Sequence, residues 1–160
     1  MTSETPSSVV PDTSCLIALD ALGQMKLLVT FYGVVTIPQA VAREFGSVVP
    51  CWLQVRTVKN TSLIAALRRS LGPGESEAIA LASEIPNSLL VLDDLRARRV
   101  ASEMGLVLTG TLGLILRAKN EGVIASVDAA LSQIERVGFR LSSDLRKEVL
   151  LLAGERASSR

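Results

Sequence analysis

The chain has 160 residues, 48% of them hydrophobic, a formal net charge of +1 and no histidine. This composition suits a single packed domain rather than a disordered chain, and the lack of histidine excludes Ser-His-Asp and Cys-His hydrolysis, histidine acid–base pairs and histidine-ligated zinc or iron. The near-neutral balance leaves any attraction to a polyanion to a local patch, and one Trp, one Tyr and three Phe exclude an extended aromatic stacking platform.

Met1 to Ser8 is polar and lacks the basic and apolar regions of an export signal. With Ala153 to Arg160 it reads as a loose tail around one domain spanning 9–152. Val9 to Asp12 is predicted as the first strand, and Thr13 or Ser14 caps a helix to about Leu22 that Gly23 ends. A short helix follows over Met25 to Tyr32, then a β-branched strand over Val34 to Ile37. Pro38 suits the first turn of a helix through Phe45. Val55 to Val58 reads as a short strand, Ser62 to Ser70 as a helix, and Gly72-Pro73-Gly74 as a turn before an Ala-rich helix over Glu75 to Ile85. Leu89 to Leu92 is the clearest strand, uninterrupted and bounded by Pro86-Asn87-Ser88 and two aspartates. A helix over Leu95 to Met104 ends at Gly105, a strand covers Leu106 to Thr109, and helices over Leu112 to Asn120, Val127 to Val137 and Ser143 to Leu152 complete the set. Short strands alternating with longer helices imply an α/β domain with a central parallel sheet. No apolar run reaches the roughly 18 residues of a membrane span, and Cys15 and Cys51 read as two reduced thiols. The expectation is a cytoplasmic protein without a membrane segment.

Acidic residues stand where hydrophobic runs end: Asp12 after Val9-Val10-Pro11, and Asp93-Asp94 after Leu89-Leu90-Val91-Leu92. In a parallel sheet such strand ends open onto one edge, where α/β folds place their ligands. Glu44, and Glu75 and Glu77 at the start of the Ala-rich helix, are further candidates. Converging carboxylates suit magnesium or manganese, which prefer hard oxygen ligands and keep several waters, and such a site polarises a phosphoryl oxygen and activates water. Each acid also has a plainer reading. Asp12 suits a helix cap as well as a ligand, and Asp93, Asp94, Glu75 and Glu77 suit first helical turns. Glu75 and Glu77 are about 200° apart around a helix, so only one faces a shared site. Cys15 and Met104 read as core packing, and Leu145, Val149, Leu150 and Leu151 as a face that covers the core or meets another subunit.

Five stretches then carry a family likeness: Val10-Pro11-Asp12-Thr13-Ser14-Cys15-Leu16-Ile17-Ala18-Leu19, Ile37-Pro38-Gln39-Ala40-Val41-Ala42-Arg43-Glu44-Phe45, Gly74-Glu75-Ser76-Glu77-Ala78-Ile79-Ala80-Leu81-Ala82, Leu92-Asp93-Asp94-Leu95-Arg96-Ala97-Arg98-Arg99-Val100-Ala101, and Leu108-Thr109-Gly110-Thr111-Leu112-Gly113. In this order they resemble the PIN-domain family of magnesium-dependent ribonucleases, particularly its toxin-like branch related to VapC. The resemblance implies a three-layer α/β/α PIN-like fold with a central parallel sheet and a metal site at its carboxyl edge. It maps the acids onto Asp12, Glu44, Glu77 or Glu75, and Asp94 or Asp93. Glu77 is favoured because it opens the Ala-rich helix, and Asp94 for its spacing to Arg98. Thr111 matches a polar position near the metal.

The implied function is a Mg2+- or Mn2+-dependent endoribonuclease with catalytic residues Asp12, Glu44, Glu77 and Asp94, the toxin of a toxin–antitoxin pair. RNA is the implied substrate, with an antitoxin protein and a second copy of the chain as partners. Arg96, Arg98 and Arg99, with Arg117 and Lys119, read either as a basic rim that holds an RNA backbone or as an ordinary charged helix face. Two alternatives compete: a catalytically inactive PIN-like interaction module, and a receiver-type signalling domain, which needs a lysine at a late strand end where Lys119 is predicted to be helical.

Overall fold

Five short hydrophobic segments pair in parallel: β1 (Ser8–Pro11), β2 (Val35–Pro38), β3 (Leu53–Arg56), β4 (Ser88–Val91) and β5 (Leu108–Thr109). The computed structural model describes residues 4–156. Parallel neighbours require long crossovers, and helices supply them: α1 (Thr13–Ala21), α2 (Leu27–Tyr32), α3 (Gln39–Phe45), α4 (Thr61–Leu67), α5 (Pro73–Glu84), α6 (Leu95–Glu103) and α7 (Thr111–Asn120), with α8 (Val127–Arg136) and α9 (Ser143–Leu152) following. The result is the expected three-layer α/β/α arrangement around a parallel sheet. Among the described residues no helix is long and apolar enough to cross a membrane.

Burial follows strand position. Val9 and Val10 point to opposite faces of β1 and are both 0% exposed, because helices cover this central strand on both sides. In β3, at the sheet edge, only Leu53 is buried. A second core joins Ala18 of α1 to Ile115 of α7, Leu131 and Ile134 of α8, and Val149 and Leu150 of α9.

The strand order is β3-β2-β1-β4-β5. The chain leaves β1 for β2 and β3 on one side, then returns past β1 to β4 and β5 on the other. Such a reversal opens a crevice between the carboxyl ends of the two strands where it occurs, here β1 and β4. Pro11 pairs with Val91, and the Asp12 N–H donates to the Val91 carbonyl at 3.0 Å, so Asp12 and Asp93 emerge side by side just past the paired residues.

Several boundaries differ from expectation. The third strand is Leu53–Arg56 rather than 55–58, and β5 is only two residues long. Pro38 closes β2 and stands at the N-cap of α3, outside its first turn. Helix α5 begins at Pro73, so the Gly-Pro-Gly segment is a helix start: Gly72 is the N-cap, and the amide that Pro73 lacks would have had no helical partner. Met104 is 38% exposed at the end of α6 and is not a core residue.

Of the expected tails, Ser8 belongs to β1, while residues 1–3 and 157–160 lie outside the described residues. Glu155 has a structural task. Its carboxylate accepts the Val127 and Asp128 N–H groups at 2.7 and 3.0 Å, satisfying the first turn of α8, and pairs with Lys119 at 3.0 Å. Glu155→Ala is expected to lose roughly 0.5–2 kcal/mol, the range for a lost helix cap, which urea unfolding would measure.

Candidate active site

Asp12 serves two ends at once. Its Oδ1 accepts the Cys15 N–H at 2.8 Å and caps α1, as one reading of the sequence required. Yet the residue is only 3% exposed and lies beside a second carboxylate, Asp93. Burial, and then the Asp93 charge, push the Asp12 carboxyl up to about 7, and the Glu75 charge adds to this against the Cys15 and Asp93 amides. Cys15 is wholly buried as expected, and burial raises its thiol well above the ordinary value.

Asp93 is held by a residue 18 positions further on. The Thr111 amide donates to its Oδ1 at 2.8 Å and the Thr111 hydroxyl to its Oδ2. Burial raises the Asp93 carboxyl too, opposed by the two Thr111 bonds and by the Arg98 charge. Asp94, by contrast, is exposed and caps α6 by accepting the Ala97 N–H at 2.9 Å. Of the two aspartates between which the family likeness favoured Asp94, Asp93 is thus the more buried and the one held by Thr111, while Asp94 is exposed where it lines the larger cleft.

The third acid is also exchanged. Glu77 points away from the cleft: its Oε2 accepts the Ala40 N–H at 2.8 Å and caps α3. Glu75 lines the cleft, and burial, followed by the Asp94 charge, raises its carboxyl. Of this pair, about 200° apart around the helix, Glu75 and not the favoured Glu77 lines the cleft. Glu44 reaches the same place from α3, accepting the Gly74 N–H at 2.8 Å and the Thr13 hydroxyl at 2.6 Å. This contact explains Gly74: a Cβ there would stand 2.3 Å from Glu44 Oε2. Gly74→Ala is expected to displace the Glu44 carboxylate from the Gly74 amide and the Thr13 hydroxyl, at a cost of about 0.5–1.5 kcal/mol for the lost hydrogen bonding, and combining it with Glu44→Ala should relieve the clash, so that the double variant loses less than the sum of the two single losses in thermal unfolding.

Two adjoining clefts share Ser14 and Glu75. The smaller, about 150 Å³, is lined by Asp12, Glu44 and Gly74, and the larger, about 630 Å³, by Asp93 and Asp94. Five of the expected acids thus meet at one edge of the sheet, and Glu77 does not. Among the described residues no three acids or thiols are grouped closely enough to enclose a metal ion unaided. The donor set still suits a hard divalent cation, because its donors are all oxygens and magnesium takes one or two carboxylates directly while keeping several waters. Asp12, Asp93 and Glu75 would bear the charge, and Glu44 and Asp94 line the same two clefts.

The arginines divide. Arg98 donates to the Leu92 carbonyl at 2.7 Å and lies near Gly110, where a Cβ would come within 3.0 Å of its guanidinium, so it closes the end of β4. Arg96 is exposed and bonds the Ser70 carbonyl at 3.3 Å, and Arg99 is exposed on the same helix. Arg117 and Lys119 do not join this rim. Arg117 stacks 4.1 Å above Phe31 and pairs with Glu121, and Lys119 is tied to Glu155, both near the far end of α7.

Sequence reasoning missed Gly138, Phe139, Arg140 and Ser142, which line the larger cleft together with Leu145, a residue expected to cover the core or meet another subunit. Gly138, following a helical pattern, marks the turn there, but nothing local shows what the turn faces. In comparison with known proteins, a family model described as PIN domain matches residues 8–155. No curated protein and no solved structure matches the chain. PIN domains are typically nucleases, which points to nuclease function and nucleic-acid binding. With the matched region covering β1 to the end of α9, the chain belongs to the PIN-domain family.

Proposed function

We propose that this protein is a magnesium- or manganese-dependent endoribonuclease. The observation that carries the reading is the meeting of Asp12, Asp93 and Glu75 at the β1–β4 crevice, with Asp12 held near 7 by burial and by its neighbours' charges. Such a cluster destabilises the fold unless a cation or a proton neutralises it. A divalent cation bound there supplies polarisation of a phosphoryl oxygen and activation of a water. The chain's own groups set the geometry: Thr111 fixes both oxygens of Asp93, the Cys15 amide of α1 orients Asp12, and Thr13 and Gly74 hold Glu44. Arg96 and Arg99 offer positive charge to a phosphate backbone beside the site.

The toxin role follows from the likeness to the VapC-related branch, with an antitoxin and a second copy of the chain as partners. An inactive interaction module is the competing reading, favoured by the absence of three tightly grouped ligands among the described residues. The receiver reading is dropped. Receiver sheets run 2-1-3-4-5, whereas this one runs 3-2-1-4-5, and Lys119 is bound to Glu155 within α7's last turn.

Incubating metal-stripped protein with a circular single-stranded RNA separates the readings. Linearisation on adding Mg2+ or Mn2+, reversed by a chelator, is expected. An intact circle at millimolar cation would leave the interaction module. Growth arrest on expressing the wild type but not Asp12→Asn tests the toxin role.

A further inference from the structure

The larger cleft extends well beyond the carboxylates. From Asp93 and Asp94 it runs to the turn between α8 and α9, and its walls become apolar: Leu112, Phe139 and Leu145, with Arg140 and Ser142 beside them. The chain is poor in aromatic residues, and two of the few, Phe31 and Tyr32, are covered by Arg117. Phe139 is half-buried, packs against the second core and still lines the cleft.

The turn that presents it is firmly built. Gly138 adopts φ +95°, its N–H donates to the Glu135 carbonyl and the Phe139 N–H to the Ile134 carbonyl, both at 3.1 Å, closing the end of α8. Arg146 of α9 clamps α8 from the other side, at 2.6 Å from Asp128 and 2.9 Å from Glu135. A preformed wall of this kind loses little order when a ligand binds.

We propose that this end of the cleft is a subsite for one unstacked base of single-stranded RNA next to the scissile phosphate, with Phe139 as the stacking face and Arg140 neutralising the adjoining phosphate. The assignment rests on the ribonuclease reading of the acidic site. Three features support it. At about 630 Å³ the space falls within the range of small-ligand sites. Its apolar walls suit a base, and Arg140, the one cation among the described residues that line it, offers a charge for a phosphate at the end where the turn between α8 and α9 replaces the acids as the wall. An aromatic face binds any base through its π surface, but only a base freed from a duplex can reach it.

The probe is a nuclease-resistant 2′-O-methyl RNA oligonucleotide carrying 5-iodouridine, single-stranded or annealed to its complement, with binding followed by fluorescence anisotropy in Mg2+ and in chelator. Phe139→Leu keeps the apolar bulk and so the fold, which its melting temperature checks, but removes the π face. It is expected to weaken single-strand binding about tenfold and to leave duplex binding unchanged. Arg140→Gln should weaken binding and lower the salt dependence by about one phosphate contact. Photocrosslinks should map to the peptide containing Phe139. Wild-type affinity in Phe139→Leu, crosslinks only elsewhere, or no binding by the wild type would overturn the subsite. A parallel cleavage assay keeps the two proposals apart. Cation-dependent cleavage with Phe139-independent binding refutes the subsite alone, and Phe139-dependent binding without cleavage upholds it while refuting the ribonuclease reading.

Discussion

Asp12→Asn is expected to reduce cation-dependent RNA cleavage by more than about 100-fold, since even removing a partner of a metal ligand costs 10–100-fold, and to raise the melting temperature measured without cation at pH 8. The two effects have one cause. Burial and neighbouring charge raise the folded-state pKa of Asp12 to about 7 from the ordinary 3.8, so between those values the native state holds a proton that the unfolded chain has released. The share of stability that Asp12 contributes is therefore greatest below about pH 4, falls as pH rises toward 7, and levels off above it. The same direction of shift at Asp93 and Glu75 reinforces the decline. Asparagine keeps an oxygen for the Cys15 amide but carries no charge, so the variant should lose the part of this pH dependence that Asp12 supplies. Asp12→Ala removes the cap as well and should be less stable than Asp12→Asn by roughly 0.5–2 kcal/mol. Thermal melts from pH 4 to pH 9, with and without Mg2+, test this directly. A wild-type curve that is flat across the range, together with unimpaired cleavage by folded Asp12→Asn, would remove Asp12 from the site.

The same contrast between local pattern and distant contact explains what could be read beforehand. The parallel sheet was legible because Val9-Val10 and Leu89-Leu90-Val91-Leu92 are uninterrupted apolar runs, as strands buried on both faces must be, and because acids follow both. The exact position of β3 was not, because an edge strand is held by its backbone: Val55 is 45% exposed while Val58, beyond the strand, is buried, so hydrophobicity misleads by two residues. Choosing between Asp93 and Asp94 required Thr111, which arrives at the site only through the β5–α7 junction. Choosing between Glu75 and Glu77 required knowing which face of α5 packs against α3. Glu155 was equally hidden, since its partners at the start of α8 lie 27 and 28 residues away along the chain.

The exchange of roles between Glu75 and Glu77 yields the sharpest separation of chemistry from stability. Glu75→Gln should weaken cation binding and cut cleavage by at least tenfold while leaving the fold as stable or more so, because it removes a charge that Asp12 and Asp94 disfavour. Its capping contact to the Gly72 amide, at 3.3 Å, is long and survives with the glutamine oxygen. Glu77→Ala should do the reverse. The Ala40 amide at the start of α3 loses its acceptor, which costs roughly 0.5–2 kcal/mol, and the folded fraction should cleave normally because no cleft residue has changed. Cation affinity by calorimetry, cleavage rate per folded molecule, and urea midpoints for both variants distinguish the cases. If Glu77→Ala instead abolished cation binding in a fully folded protein, α5 would have to present its other face to the site, and the assignment of Glu75 would fall with it.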